Sequence, residues 1–333
     1  TVTGVQTCAL PISIVDVLAQ TSDRFIEEFS LAKGTMTLIG AAEAEALYAR
    51  MGTATECSGG SAANTVVGVA LLGGKAGFIG KVRDDQLGNI FRHDIRAVGV
   101  AFDTPAATSG APTARCLVLV TPDAQRTMQT FLGIAGSLGP DDVDADLVRR
   151  AAITYLEGYL FDPPPAKKAF ETAAALAHGA GKRVALTLSD PFCVDRHRDD
   201  FQRLIADHVD ILFANEAEIT SLYKVNDFDS ALRIVRDQCE IAVLTRSEQG
   251  AVIVAGRESH VIPAEPVTRV VDTTGAGDLF AAGFLYGYTH SLGLAQAGRI
   301  GAICAAEIIS HVGARPVASL AALVKTKTGI AVG

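Results

Sequence analysis

The amino-acid sequence predicts an α/β fold: a doubly wound, mainly parallel sheet flanked by helices, with a small β-sheet lid. Strand and helix patterns alternate along most of the chain, which is typical of parallel sheets whose strands are joined by crossover helices. The alternation is interrupted between residues 100 and 131, where two strand patterns flank a Pro122–Asp123 turn. This interruption indicates an antiparallel hairpin inserted into the α/β frame.

The N-terminal half of the chain begins its alternation at residue 14. An apolar strand pattern covers 14–19, and the elements predicted after it are a helix at 23–31, a strand at 35–39, helices at 41–50 and 62–72, a strand at 76–79 and a helix at 86–98. Residues 1–13 show no clear periodicity and contain Pro11. We therefore treat 1–13 as a candidate non-native segment, a cloning scar or a misjoined sequence, in front of the domain.

The predicted lid is built around hairpin strands at 113–120 and 126–131, and it combines segments near 14–57 and 100–133. The C-terminal half resumes the alternation. Its strands are predicted at 152–156, 183–188, 209–213, 241–245 and 251–255, and its helices at 164–178, 195–207, 275–288 and 294–310. Because no internal repeat or low-complexity linker is visible, residues 14–333 are predicted to form one domain.

Composition and charge exclude several classes of function. A chain of 333 residues, 49% of them hydrophobic, can bury a large core, and its formal net charge of -8 gives no general attraction for nucleic-acid phosphates. The most apolar window, 61–80, contains Asn64, Lys75 and several glycines, which disfavours a membrane span. We therefore expect neither a nucleic-acid nor a membrane partner.

The cysteines and the start of the chain indicate the compartment. Six cysteines lie far apart with no Cys-x-x-Cys pair, so we interpret them as reduced thiols rather than zinc ligands or disulfides. No basic-then-apolar leader opens the chain, which favours a cytoplasmic protein. An exposed lid hairpin could pair between subunits, so a monomer and a homodimer are both open.

The strongest chemical signal is the segment 272–278, Asp-Thr-Thr-Gly-Ala-Gly-Asp, which precedes a helical pattern. Glycines at a helix mouth let a ligand approach the backbone, where free N–H groups and the helix dipole attract an anion. Asp278 would oppose a phosphate there unless it accepts a proton from the attacking hydroxyl. The alternative is an ordinary helix start, with Asp272 as N-cap and Asp278 as a first-turn acid, which leaves the glycines unexplained.

Segment 272–278 resembles the C-terminal signature of the ribokinase-like PfkB carbohydrate kinase family. Residues 57–65 and 71–82 resemble the N-terminal signature of the same family, and two motifs in the correct order are more specific than either one. The resemblance extends from about residue 14 to the C-terminal region. It implies a ribokinase-like fold, ATP and Mg²⁺ as cofactors, Asp278 as catalytic base, and an anion hole formed by Gly275, Ala276 and Gly277.

The resemblance also implies an acceptor site for a sugar or ribose. Gly59 and Gly60 precede a helix and permit close approach of the substrate to the backbone, and Asn64 offers a donor and an acceptor to a diol. Asp16 matches the first-strand acid of the family and offers a bidentate acceptor for two vicinal hydroxyls. A tight strand-to-helix turn with a polar cap is an equally good interpretation of Gly59, Gly60 and Asn64 alone.

The resemblance implies a nucleotide site at a second pair of motifs. Asn215 and Glu218 match the Asn-x-x-Glu motif of the family and would hold the water shell of Mg²⁺, although a capping box explains the same spacing. Thr245, Arg246 and Gly250 resemble the nucleotide loop of the family.

Family members often bind a monovalent cation beside the anion hole, and Asp272, Thr274 and Gly313 occupy the corresponding positions in this chain. The resemblance therefore suggests K⁺ as a further cofactor.

The substrate predicted from the sequence is a small-molecule nucleoside or sugar. Segments 187–192 and 209–216 resemble most closely the family members that phosphorylate adenosine at its primary hydroxyl to give AMP. Phe131 on the lid is a candidate stacking surface for the base, as are Leu38 and Met36, although each of them could instead cover the core, and core packing is the preferred interpretation of Met36. Glu157 resembles a position that faces the sugar in ribokinase-type enzymes, so a ribokinase- or fructokinase-like activity stays open, as does a catalytically silent nucleoside-binding protein.

Overall fold

The computed structural model describes residues 4–123 and 125–332, and these residues form two sheets with helices around them. The strands are β1 (Thr7–Leu10), β2 (Ile14–Gln20), β3 (Met36–Leu38), β4 (Ala54–Gly59), β5 (Ala76–Phe78), β6 (Ala114–Val120), β7 (Arg126–Phe131), β8 (Ile153–Glu157), β9 (Arg183–Thr187), β10 (Ile211–Asn215), β11 (Ile241–Thr245), β12 (Ala251–Ala255) and β13 (Glu258–Ile262).

The α-helices are α1 (Asp23–Glu28), α2 (Ala41–Tyr48), α3 (Ser61–Leu71), α4 (Gln86–Ala97), α5 (Ala145–Arg150), α6 (Pro164–Gly179), α7 (Pro191–His208), α8 (Glu216–Tyr223), α9 (Phe228–Val235), α10 (Ala276–Thr289), α11 (Leu294–Ile308) and α12 (Leu320–Thr328). Short 3₁₀ turns cover Gly133–Ser137, Pro140–Asp142, Gly158–Phe161 and Ser247–Gln249.

The larger sheet has the strand order β13-β12-β11-β10-β9-β8-β1-β5. It is parallel from β5 to β11, and only β12 and β13 are antiparallel additions at its edge. Helices pack on both faces of this sheet around two apolar clusters. Strands that are buried on both faces of a sheet have near-continuous apolar sequences, as β11 (Ile241–Thr245) does.

The smaller sheet has the order β3-β7-β6-β2-β4. Its β6–β7 hairpin and its β2–β4 pair are antiparallel, whereas β2–β6 and β3–β7 are parallel. The doubly wound, mainly parallel α/β fold with a small additional β-sheet is therefore confirmed. The hairpin appears where the interrupted alternation predicted it.

The segment before residue 14 contributes an inner strand to the larger sheet. Strand β1 pairs in parallel with β5 on one side and β8 on the other, and its four residues are buried. Residues 1–3 lie outside the described part of the chain. That residues 1–13 are non-native stays a prediction.

The parallel topology brings the carboxyl ends of the central strands to one edge of the larger sheet, where ligands bind in open α/β folds. Glu157, Asn215 and Thr245 each end a strand at this edge. Helices α3 and α10 contact each other beside it, and the smaller sheet lies over it. In the described residues, no helix combines the length and apolar character needed to cross a bilayer.

Candidate active site

A cavity of about 1550 Å³ opens between the sheet edge and the smaller sheet. This volume exceeds the roughly 300–1,000 Å³ typical of a single small-molecule site. One arm is lined by residues of the smaller sheet and its neighbours, including Asp16, Met36, Leu38, Asn64, Met128 and Glu157. The other arm is lined by strand ends and helix α11, including Asn215, Glu218, Thr245, Arg246, Gly250 and Ala305. The mouth of α10 lies where the two arms meet.

The first turn of α10 presents backbone N–H donors to the cavity. Gly275 caps the helix with φ of 82°, a left-handed conformation that glycine adopts without strain. In the described residues, the N–H groups of Gly277 and Asp278 have no backbone acceptor, as expected for the first turn of a helix. A Cβ atom on Gly277 would meet no atom within 4 Å, so the approach to these donors is open.

Asp278 lies in the same turn and is held by two side chains of α3. The Ser61 hydroxyl donates to Asp278 Oδ1 at 2.6 Å, and Asn64 Nδ2 donates to Oδ2 at 2.9 Å. Burial raises the pKa of Asp278, while the two hydrogen bonds and the charge of Arg315 act in the opposite direction. The carboxylate is thus fixed in orientation, and each oxygen keeps a lone pair that can accept a proton.

Asp16 lies beside the Gly59–Gly60 turn that precedes α3. A Cβ atom on Gly59 would overlap the Asp16 carboxylate, so glycine lets the turn approach this carboxylate closely. Gly60 has φ of 95° and caps the N-terminus of α3. Burial raises the pKa of Asp16 to about 6, with Arg315 and Arg126 lowering it and Asp278 raising it. Asn64 turns its amide donor toward Asp278, while its buried Oδ1 has no hydrogen-bond partner in the described structure.

Glu157 lies at the floor of the cavity, where it joins two backbone segments. Its Oε2 accepts from Ile12 N–H and its Oε1 from Ala62 N–H, both at 2.8 Å. Burial raises the pKa of Glu157 to about 7, and the two backbone hydrogen bonds oppose that shift. Glu157 thus connects the chain between β1 and β2 to the start of α3.

The raised pKa of Glu157 predicts how the free energy of unfolding changes with pH. The folded state binds this proton more tightly than the unfolded state, so the free energy of unfolding should fall as pH rises from about 4.5 to about 7. Glu157→Gln should reduce that fall by roughly 1–3 kcal/mol. Urea unfolding between pH 4.5 and 8 measures it, with exposed Glu171→Gln as control. An unchanged pH slope in Glu157→Gln would show that Glu157 does not titrate in this range.

The second arm is built on the Asn215–Glu218 capping box. Asn215 Oδ1 accepts from Glu218 N–H at 2.8 Å, and Glu218 accepts from Asn215 N–H at 2.9 Å and from Asn215 Nδ2 at 2.6 Å. Asn215 and Glu218 therefore form a helix cap, as the alternative interpretation of the sequence predicted, and they also line the cavity. Burial raises the pKa of Glu218 to about 7, and no cationic side chain is among the causes.

The loop at 245–250, which the sequence predicted to bind the nucleotide, borders the same arm. Arg246 extends along Glu216, with Arg246 Nε donating at 3.0 Å, and its guanidinium lies 4.0 Å from the centre of the Phe228 ring. A Cβ atom on Gly250 would overlap backbone atoms near Ile262, so Gly250 permits the close approach of β12 and the segment after β13. Thr245, Arg246 and Gly250 all line the cavity.

The residues present fit a hydrated Mg²⁺ better than a directly coordinated one. In the part of the chain that the structure describes, no three His, Cys, Asp or Glu side chains are grouped closely enough to hold a metal ion. Mg²⁺ usually keeps several waters and binds through one or two carboxylates plus substrate phosphates. Glu218 matches that mode, because it is a buried carboxylate on the cavity wall and no cation among the described residues contributes to its pKa shift.

The residues at Asp272 do not fit a potassium ion. Asp272 Oδ1 accepts from Thr274 N–H at 3.1 Å and Thr274 Oγ at 2.7 Å, and Oδ2 accepts from Gly313 N–H at 2.9 Å and from the Arg126 guanidinium. Burial would raise the pKa of Asp272, but these hydrogen bonds and Arg126 lower it. A cation at this carboxylate would have to displace the guanidinium.

The structure does not bring every predicted residue to the cavity wall. Phe131 is not among the lining residues, because side chains alternate along β7 and Met128 and Thr130 face the cavity instead. Gly59, Asp272 and Gly313 support the wall from behind rather than line it. The remaining predicted site residues line the cavity.

Three side chains that the sequence analysis did not assign contact the site: Ser61, Arg126 and Arg315. Ser61 lies inside the N-terminal motif, so its place beside Asn64 was a usable signal. Arg126 and Arg315 reach partners far away in sequence, which no local pattern indicates. An apolar slot between residues 264–267 and α11, containing Ala302 and Ala306, was also missed.

Comparisons with known proteins agree with this architecture. A family model described as pfkB family carbohydrate kinase matches residues 30–320. The structure of a probable sugar kinase from Rhizobium etli CFN 42 is 48% identical, with a TM-score of 0.92, over 98% of this chain and 99% of that one. An adenosine kinase structure from Sinorhizobium meliloti is 48% identical, with a TM-score of 0.91, over 97% of this chain and 99% of that one.

One relative is similar to this chain over most of the length of both proteins. Adenosine kinase from Saccharomyces cerevisiae is 27% identical over 322 residues, which cover 90% of this chain and 93% of the relative. Because the family model spans most of the chain and the fold and both motifs agree with it, this chain belongs to the pfkB family of carbohydrate kinases.

Proposed function

We propose that this kinase transfers the γ-phosphoryl group of ATP to the primary hydroxyl of a nucleoside, with adenosine as the leading candidate. The observation that carries the proposal is the start of α10, where the Asp278 carboxylate lies beside the N–H groups of Gly277 and Asp278, which have no backbone acceptor among the described residues. Phosphoryl transfer needs a proton acceptor for the attacking hydroxyl and donors for the transferring oxygens. Both occur within one helical turn that faces both arms of the cavity.

The mechanism follows from these positions. The acceptor hydroxyl gives its proton to an Asp278 carboxylate oxygen as its own oxygen forms the new bond to the γ-phosphorus. The bond between that phosphorus and the β–γ bridging oxygen breaks, and ADP leaves. Ser61 and Asn64 hold the carboxylate in place during this step. The first-turn N–H groups stabilise the charge on the transferring oxygens.

Mg²⁺, when bound, neutralises phosphate charge, and Asn215 and Glu218 are the residues that would hold its water shell. Asp16, Gly60 and Asn64 would receive the ribose or sugar, because they line the acceptor arm next to Asp278.

Two features support a nucleoside as the acceptor. Met36, Leu38 and Met128 add an apolar wall to the acceptor arm, which suits a base better than a free sugar. A structure that is 48% identical carries the name adenosine kinase. The second candidate is a free-sugar kinase. It is favoured by the equally similar structure named probable sugar kinase and by the carboxylate of Glu157 in the acceptor arm.

An ADP-release panel tests the substrate. The purified chain is given ATP and Mg²⁺ with adenosine, inosine, guanosine, ribose or fructose, and kcat/KM is compared among the acceptors. We expect adenosine to give the highest value, by at least about tenfold over ribose, because the apolar wall binds the base. A higher value for ribose or fructose would replace the nucleoside proposal with the sugar-kinase alternative. Thermal stabilisation by adenosine without ADP release from any acceptor would indicate the catalytically silent binding protein.

A further inference from the structure

Three consecutive residues after α11, Gly313, Ala314 and Arg315, contact both halves of the site; we call them the C-terminal clasp. Gly313 N–H donates to Asp272 Oδ2 at 2.9 Å. Ala314 packs against Gly275, where an added Cβ would lie 3.1 Å from the Ala314 Cβ. The clasp therefore contacts Asp272, at the start of the 272–278 segment, and Gly275, which caps α10.

Arg315 extends from the same clasp to the acceptor side. Its guanidinium donates to the Ser58 carbonyl at 2.7 Å, to Ser58 Oγ at 3.0 Å and to the Ala63 carbonyl at 3.1 Å. Ser58 precedes the Gly59–Gly60 turn and Ala63 follows it, so one side chain holds both ends of that turn. On its other side, Ser58 N–H donates to Asp94 Oδ2 at 3.0 Å. The planar fork of arginine can bridge two acceptors in this way, which the single ammonium of lysine cannot reproduce.

The Arg315 guanidinium also interacts electrostatically with the carboxylates of Asp16 and Asp278. Its positive charge lowers the pKa values of Asp16 and Asp278 from where burial alone would put them. Burial lowers the pKa of Arg315 itself, and the negative charges of Asp16 and Asp278 oppose that shift. The clasp therefore combines a geometric link with a charge that favours the ionised base.

We propose that Arg315 is a positioning residue that couples acceptor binding at the Gly59–Gly60 turn to phosphate binding at the mouth of α10. The inference rests on the proposed function, since it assigns the two ligands to those two places. Binding of either ligand orders the clasp. The second ligand therefore binds to a site whose backbone is already ordered. Coupling of this kind is a reciprocal change in binding affinity between two sites.

Isothermal titration calorimetry measures the coupling directly. Adenosine is titrated into the wild-type chain with and without a saturating non-hydrolysable ATP analogue and Mg²⁺, and the experiment is repeated with Arg315→Met and Arg315→Lys. We expect the analogue to tighten adenosine binding by about fivefold or more in the wild type, within the usual range of coupling, and by less than about twofold in both variants. The affinity for the analogue alone should stay within about threefold of the wild type, since the first-turn N–H groups remain.

The pH profile separates the two parts of the role. In Arg315→Met the acidic limb of kcat/KM should move to higher pH, because the carboxylates lose a neighbouring positive charge. Arg315→Lys should keep the wild-type limb and still lose the coupling. If Arg315→Met does not fold, Arg315→Lys alone carries the binding test.

Arg236 provides a matched control, because it also donates to backbone carbonyls, of Gly256 and Glu258, and to a serine hydroxyl, of Ser259, away from the cavity. Arg236→Met should retain the coupling. Wild-type coupling in folded Arg315→Lys or Arg315→Met would overturn the inference. Failure of the proposed function shows separately, as absence of adenosine phosphorylation by the wild-type chain. In that case the acceptor with the highest turnover replaces adenosine in the titration.

Discussion

Asp278→Asn is expected to lower kcat by about 10²- to 10⁴-fold, the range that a positioned general base contributes. The substitution keeps the size of the side chain and one acceptor oxygen for Ser61 or Asn64, so the first turn of α10 should retain its shape. The free energy of unfolding should not fall at pH 8, because burial disfavours the carboxylate charge that is removed. Coupled ADP-release kinetics and thermal unfolding measure both quantities.

The wild-type pH profile provides a second readout for the same residue. Only the ionised Asp278 can accept the proton, so kcat/KM should fall toward acid pH with an apparent pKa above the ordinary aspartate value. Asp195→Asn, on the outer side of α7, is the control and should leave turnover unchanged, because Asp195 is exposed, bonds to Arg198 and Ser221, and does not line the cavity. Turnover of Asp278→Asn within about threefold of the wild type would remove Asp278 from the role of base.

Gly277→Ala is expected to lower kcat/KM for ATP by roughly 10- to 100-fold while leaving the fold intact. The new methyl group would meet no protein atom within 4 Å, so it would occupy open space at the helix mouth. Alanine is also preferred over glycine in a helix by roughly 0.5–1 kcal/mol, so stability should stay the same or increase. A more stable and less active variant separates ligand approach from folding.

Gly179→Ala is the matched control for Gly277→Ala. Gly179 ends α6, is exposed, and likewise has no atom within 4 Å of an added Cβ, but it does not line the cavity. It should leave kcat/KM for ATP unchanged. If Gly277→Ala were as active as Gly179→Ala, the phosphate would not need close approach to this turn.

Local patterns predicted most of the fold because each strand and helix is encoded by its own periodicity. The start of α10 was predictable for the same reason, since Gly275, Gly277 and Asp278 lie within a segment of seven residues, 272–278. Short or polar elements escaped: β4 has mixed burial without alternation, and β1 is an inner strand of only four residues. Neither carries enough periodicity to identify it.

The site residues that the sequence missed depend on tertiary contacts. Phe131 was placed on the cavity by its position in the hairpin, but its phase along β7 decides which face it occupies, and Thr130 and Leu132 line the cavity instead. Arg315 and Ser58 are 257 residues apart, and Arg126 and Asp272 are 146 apart. Contacts over such separations follow from the packing of the two sheets, which local patterns do not specify.

The most direct measurement is a crystal structure of the chain with adenosine, Mg²⁺ and a non-hydrolysable ATP analogue. The terminal phosphate is expected to accept hydrogen bonds from the N–H groups of Gly277 and Asp278. The primary hydroxyl of adenosine should lie about 3 Å from an Asp278 carboxylate oxygen. A terminal phosphate bound away from the start of α10, with Asp278 out of reach of any acceptor hydroxyl, would contradict this assignment of the site.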